Sequence, residues 1–245
     1  PNFLTILAIS AGMSAIRFGL EDQWENAALA ILAAAILDAL DGRVARILKG
    51  ASKFGAELDS LSDFISFGVA PAMMLYLWAM QDFGPVGWIL TLLFSVSMAL
   101  RLARFNTMLE VENLPTWTSN FFAGVPAPAA AGLVLMPMIL SFIVGDEFFR
   151  SPFVISFYLI SVSALVVSSI PTFSFKKIKV PTKRVLPFMI IATALVAALV
   201  SAPWTTISGV LFVYLATIPI SIKTYRKRIK EDPIPIANSI KEDTL

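Results

Sequence analysis

The stretch Ala27–Asp63, AALAILAAAILDALDGRVARILKGASKFGAELDSLSD, opens with eleven consecutive apolar residues and then carries four aspartates, Asp38, Asp41, Asp59 and Asp63. An unbroken apolar run has no polar face to turn toward water, so it belongs in a large core or in a bilayer. Carboxylates that follow it at once must sit at the edge of that apolar layer, and ionisable groups in such a place mark function.

The rest of the chain decides between core and bilayer. Of 245 residues, 57% are apolar and 15% charged. Several stretches run about 17 to 22 residues with few or no charges, the length of a helix that crosses a hydrocarbon core. They lack period-2 alternation and are rich in Ala, Leu and Met, so helices are expected and strands are not. Eight spans are expected, at 3–20, 26–48, 58–80, 86–107, 126–145, 153–170, 186–201 and 205–223. Breakers separate them: Gly84, Pro85 and Gly87, then Pro115, Gly145, Pro152, Pro171, Pro181, Pro187 and Pro203. The last two spans are short and could instead form a re-entrant hairpin. The fold class is therefore an all-α, polytopic integral membrane helical bundle. The opening PNFLTILAISAGMSAIRFGL, Pro1–Leu20, has no basic start and no clear small-residue cleavage site, so it does not read as a cleavable signal. Because the sequence starts at Pro1, a further N-terminal stretch is expected.

Charge fixes the expected orientation. If the spans alternate, Arg43, Arg46, Lys49, Lys53, Arg101, Arg104, the basic loop 176–184 and the tail from Lys223 all fall on one side. Of 19 Lys and Arg, only Arg17 and Arg150 fall on the other, which holds Glu21, Asp22, Glu25, Asp82, Asp146 and Glu147. The positive-inside rule puts both termini and the aspartate stretch at the cytoplasmic face. The closing TYRKRIKEDPIPIANSIKEDTL, Thr224–Leu245, reads as a solvated basic tail or as a patch that touches anionic headgroups.

The chain has neither histidine nor cysteine. That excludes disulfides, thiol nucleophiles, the Ser-His-Asp triad and the usual zinc sites. Acid–base and metal chemistry must come from carboxylates, Lys, Tyr or bound water. Asp38 and Asp41, three apart, share a helix face with Gly42 and Ala45; Asp59 and Asp63, four apart, share a face with Gly55 one turn earlier. Four carboxylates near a membrane repel one another and would protonate unless paired or bound to a cation. Oxygen-only donors suit Mg²⁺, Mn²⁺ or Ca²⁺. The small residues leave room beside the backbone for a bulky group, and Arg46 favours an anion there. Cation, space and positive charge together suggest a phosphate or pyrophosphate ligand. The bland alternative is four interfacial aspartates that are solvated or paired with Arg43, Arg46 and Lys49.

Asp38, Asp41, Gly42, Ala45, Arg46, Gly55, Asp59 and Asp63 match the pattern D-x2-D-G-x2-A-R-x8-G-x3-D-x3-D with no departure in residue or spacing. On these residues the sequence resembles the CDP-alcohol phosphatidyltransferases. The resemblance implies a membrane enzyme that displaces CMP from a CDP-linked lipid with the help of two divalent ions, Mg²⁺ or Mn²⁺. It implies that Asp38, Asp41 and Asp59 are mainly metal ligands. Asp63 would also face the metals and act as general base, with Gly42, Ala45, Arg46 and Gly55 around the nucleotide. It further implies six core spans around a polar cavity, often in a homodimer. Residues 1–170 would then be the catalytic core, 171–223 a basic loop with two additional spans, and 224–245 a tail.

DSLSDFISFGVAPA (Asp59–Ala72), ALRLARFN (Ala99–Asn106), FFAGVPAPAAA (Phe121–Ala131) and PNFLT (Pro1–Thr5) resemble the branch of that family whose acceptor is L-serine. The resemblance implies CDP-diacylglycerol and L-serine as substrates, membrane lipids as surroundings and no nucleic acid as partner. A serine carboxylate wants an arginine, and Arg101 or Arg104 at the end of the fourth span could supply it, unless both are snorkelling anchors. Asn2 and Thr5 are candidates to hydrogen-bond the cytidine or its phosphate; Asn2 could instead cap its helix. Gly124–Gly132, GVPAPAAAG, reads as close helix packing at a cavity edge. The same chemistry with glycerol 3-phosphate, inositol or choline as acceptor is the nearest alternative. A divalent-cation transporter is the alternative of another class, though it leaves the fixed Gly, Ala and Arg spacing without a reason.

Overall fold

In a computed structural model, which describes residues 2–47, 52–109, 115–174 and 185–232, all eight expected spans are helical. They are α1 (Asn2–Leu20), α2 (Trp24–Ile47), a third helical run from α3 (Lys53–Asp63) through α4 (Ala70–Leu75) to Met80, α5 (Gly84–Leu109), α6 (Ala127–Val144), α8 (Pro152–Val167), α9 (Val185–Ser201) and α10 (Pro203–Glu231). A short α7 (Asp146–Phe149) sits between α6 and α8. Among the described residues, four stretches are long and apolar enough to cross a membrane: Asn2–Leu20, Lys53–Met108, Ala127–Val144 and Pro203–Glu231. The second of these is a hairpin of two spans, bent at Gly84, whose φ of 59° only glycine adopts readily. α2 is long enough too but carries Glu25, Asp38 and Asp41. α8 and α9 are shorter apolar helices. The molecule is a polytopic membrane bundle.

The chain divides into two compact units, Pro1–Arg104 with Pro126–Val167, and Phe105–Val125 with Ser168–Leu245. In the first unit α1 is the strut. Its buried residues are Thr5, Ala8, Gly12, Ala15 and Gly19, alternately three and four apart. Lipid tails are as apolar as leucine, so membrane helices gain little by hiding apolar side chains from one another and hold together by close packing and hydrogen bonds. The stripe supplies the packing. At Gly12 an added Cβ would come within 2.8 Å of the Ser66 Cα. Ser66 Oγ, freed to approach, donates to the Ala8 carbonyl at 3.1 Å. α6 lies deep in the same unit, with Ala130, Val134, Met136 and Met138 fully enclosed.

The third helical run is widened twice, in π-helical turns at Phe64–Val69 and Tyr76–Met80. A π turn leaves backbone carbonyls short of helical partners, which in lipid must be met from elsewhere. Arg150 Nε donates to the carbonyl of Trp78 at 2.9 Å. The other cation on the acidic side, Arg17, pairs with Glu21 at 2.9 Å. Both exceptions to the charge asymmetry thus have local partners.

Among the described residues, the one strand pairing lies in the second unit. β1 (Phe121–Ala123) pairs antiparallel with β2 (Pro171–Phe173), Phe122 opposite Thr172. Pro126 stands just before α6 begins and Pro171 follows the end of α8, and the backbone groups between helices need partners. Gly124 N–H donates to Ile170 O at 2.9 Å and Ser174 N–H to Asn120 O at 2.7 Å. Among the described residues, the expectation of no strands fails only at these three-residue pieces. α10 continues past the expected end at residue 223 to Glu231. Lys49, the basic loop 176–184 and the tail from residue 233 lie outside the described residues.

Gly12→Ala should lower the melting temperature in detergent by several degrees, because the added methyl meets backbone rather than a movable side-chain end. Gly209→Ala, where nothing lies within 4 Å of the new Cβ, should leave it unchanged or raise it. Equal behaviour of the two variants in a thermal-shift assay would show that α1 does not depend on this contact.

Candidate active site

α2 ends its apolar run at Asp38 and Asp41. Asp38 is half-buried and Asp41 is 6% exposed. Thr5, on α1 and 2% exposed, donates its hydroxyl to Asp41 Oδ2 at 2.5 Å. The Thr5 carbonyl accepts a hydrogen bond from Ser62 Oγ at 3.3 Å. Ser62 is buried on α3 between Asp59 and Asp63, which are half-buried. One residue of α1 therefore holds both aspartate-bearing helices. α3 begins with Ser52, whose Oγ accepts from Gly55 N–H at 3.0 Å. This cap starts the helix earlier than residue 58, where the sequence pattern placed it, and puts Gly55 inside the first turn. An added Cβ on Gly55 would lie 3.2 Å from Asn2 Oδ1, so Asn2 closes over the start of α3.

Gly42 is exposed, and among the described residues nothing lies within 4 Å of where its Cβ would stand, on the face it shares with Asp38. Ala45 and Arg46 belong to α2, but their side chains lie outside the described residues.

Two close approaches fix the register of α5 against the third run: Gly87 against the Met80 carbonyl and Gly68 against Met98. These approaches make α5 run back antiparallel to the third run. Arg101 is 7% exposed. Arg104 Nη1 donates to the Val167 carbonyl at 2.8 Å, so it caps the end of α8, where a cation also suits the helix dipole. The two arginines therefore differ in setting: Arg101 is a buried guanidinium, and Arg104 donates to the end of α8.

The donors fit a hard divalent ion in kind. All are carboxylate oxygens, and Asp41 Oδ1 is a buried oxygen with no hydrogen-bond donor among the described residues. Among the described residues no three carboxylates stand close enough to hold an ion on their own. A small divalent cation such as Mg²⁺ is ordinarily held by one or two carboxylates, with waters and substrate phosphates completing its shell.

Sequence reasoning missed Ser62 and Ser66. Both lie in the quoted DSLSDFISF, yet a serine among apolar residues on a helix gives no sign of which backbone it will reach. Thr5 was singled out for the nucleotide. In the protein its hydroxyl donates to Asp41, which the sequence did not predict. The small-residue stripe of α1 was legible in its three-and-four spacing and went unread.

Residues 1–167 match the family model for CDP-alcohol phosphatidyltransferases, and residues 184–219 match a second model, CDP-alcohol phosphatidyltransferase 2. The chain is 40% identical over 226 residues to the CDP-diacylglycerol–serine O-phosphatidyltransferase of Mycobacterium tuberculosis, covering 92% of this chain and 79% of that protein. It is 42% identical over 226 residues to the protein of the same name from Mycobacterium leprae, covering 92% and 75%. It is 39% identical over 187 residues to that from Helicobacter pylori, covering 73% of each.

Thr5→Val should leave a buried carboxylate without its donor and cost about 1–3 kcal/mol of stability, read as a lower melting temperature in detergent. Thr5→Ser should retain most of it. A Thr5→Val protein as stable as the parent would mean that Asp41 is held by other means.

Proposed function

Because the chain belongs to the CDP-alcohol phosphatidyltransferase family, we propose that it transfers the phosphatidyl group of CDP-diacylglycerol to L-serine, giving phosphatidylserine and CMP. The observation that carries this reading is the eight-position aspartate motif lying on two helices that Thr5 ties together beside an open glycine face. The names of the relatives support serine as acceptor. The charge asymmetry of the sequence supports a site at the cytoplasmic face.

In this reading the serine hydroxyl oxygen forms a bond to the lipid-side phosphorus, and the bond from that phosphorus to the bridging oxygen breaks. The bridging oxygen and its electrons leave with CMP. Asp63 takes the hydroxyl proton as the new bond forms; a poor nucleophile needs that acceptor, and the chain has no histidine to offer. Asp38, Asp41 and Asp59, with Asp63, would hold two Mg²⁺ or Mn²⁺ ions, which supply charge neutralisation for the diphosphate and the departing CMP. Gly42 and Gly55, with Ala45, leave room for the nucleotide, Arg46 adds positive charge beside it, and Asn2 reaches it over the start of α3. Thr5 acts by fixing Asp41. Arg101 binds the serine carboxylate, and Arg104 steadies the same end of α5 through α8.

Purified protein given CDP-diacylglycerol should release CMP with L-serine and far less with glycerol 3-phosphate, inositol or choline. Preference for one of the latter would leave the family and refute the acceptor. Asp63→Asn should keep CDP-diacylglycerol affinity and lose turnover by roughly 10²–10⁴-fold, whereas Arg101→Ala should chiefly raise the serine KM. Near-normal turnover in Asp63→Asn would move the base elsewhere.

Chelator should abolish CMP release and Mg²⁺ or Mn²⁺ should restore it. In equilibrium dialysis with Mn²⁺, Asp41→Asn should bind the ion more weakly than the parent. Full activity in excess chelator would dispose of the metal assignment.

A further inference from the structure

α10 is one continuous helix, Pro203–Glu231, whose chemistry changes abruptly along its length. No residue from Pro203 to Ile222 is charged; beyond them come Lys223, Arg226, Lys227, Arg228 and Lys230. At 1.5 Å per residue, about 20 residues cross a hydrocarbon core about 30 Å thick. Lys223 is therefore the first residue at headgroup depth. Aromatic residues mark both boundaries: Trp204 at one end and Tyr225 about 31 Å further along the axis, the spacing of interfacial aromatic belts.

The rotation of this helix end is fixed. The Tyr225 ring lies edge-on to Trp117 at 5.5 Å and to Phe121 at 5.2 Å, and Phe121 stacks on Phe173 at 5.6 Å. Phe121 and Phe173 are themselves paired across the β-ladder. With Tyr225 turned into this cluster, helical geometry turns Lys223, Lys227 and Lys230 to the opposite side, with Arg226 beside them. All four are exposed. Glu231 pairs with Lys227 at 3.8 Å and Arg228 at 3.6 Å. Among the described residues, Lys223, Arg226 and Lys230 have no ion pair. Thr224, next to them, spends its hydroxyl on the Ile220 carbonyl at 2.9 Å.

We propose that this face of α10, formed by Lys223, Arg226, Lys227 and Lys230, binds the phosphate headgroups of anionic phospholipids in the leaflet where the helix emerges. The cations stand at the depth of those phosphates, and the aromatic cluster keeps them pointed outward. Cations on flexible stems recognise charge rather than headgroup shape, so the surface selects anionic over zwitterionic lipid without choosing among anionic ones. The inference does not depend on the reaction assigned above.

The test uses full-length protein in neutral detergent, with phosphatidylglycerol or phosphatidylcholine added in mixed micelles and bound lipid counted by native mass spectrometry. CDP-diacylglycerol is left out. Phosphatidylglycerol should bind roughly tenfold more tightly than phosphatidylcholine, and salt should weaken the difference. The triple variant K223Q/R226Q/K230Q, with helix content unchanged by circular dichroism, should lose the preference, and K223R/K230R should keep it. Lack of preference in the parent protein would overturn the proposal, as would full preference in the triple variant. Displacement of phosphatidylglycerol by an equal concentration of inorganic phosphate would also overturn it, by showing a free-anion site rather than a lipid surface.

Discussion

The two polar ends of Thr5 hold α2 and α3 to the same turn of α1, through Asp41 Oδ2 and Ser62 Oγ. Most of what the first unit does depends on that arrangement. In water a threonine could exchange such bonds for solvent at little cost, but a buried one in a membrane bundle cannot. The register between the aspartate helices is therefore set by hydrogen bonds, while the stripe of small residues below Thr5 sets their distance. Gly12 and Ser66 continue the same logic one level deeper, with backbone against backbone and a serine hydroxyl on the Ala8 carbonyl. Polar contacts at the top and close packing beneath them make a platform on which four carboxylates keep their places.

All eight spans were legible because lipid imposes one rule on every residue of a crossing: apolar side chains and a helical backbone. Asp38, Asp41, Asp59 and Asp63 were legible for the complementary reason, that a carboxylate at the edge of such a span costs too much to be idle. What escaped was anything decided by a particular neighbour. The π turns after Asp63 and Leu75 have no composition of their own. The partner of Arg104 lies on α8, far along the chain, and a single sequence cannot tell a helix cap from a carboxylate clamp. Arg17 and Arg150 looked like blemishes in the charge asymmetry until Glu21 and the Trp78 carbonyl accounted for them. The three-residue ladder joins segments separated by two whole spans, and only the prolines beside it hinted that helix would stop.

The two units differ in what their helices face. α6 is enclosed along most of its length, whereas α9 has no buried residue at all. A helix with polar work to hold in place needs neighbours on several sides. One that only crosses lipid can be hydrophobic all round and vary freely, provided it stays long enough and apolar enough.

The close seat of α1 on the turn at Phe64–Val69 also has a consequence for biosynthesis. α1 and α2 reach the bilayer before that turn has left the ribosome. Until the third span inserts, the α1 face beside Gly12 and the Thr5 carbonyl have yet to meet Ser66 and Ser62. Asp41 and Thr5 can find each other at once, because both helices are already present. Asp59 and Asp63 join them only when the third span inserts. The early hairpin is thus a template, and the site is completed by docking within the membrane rather than by collapse in water.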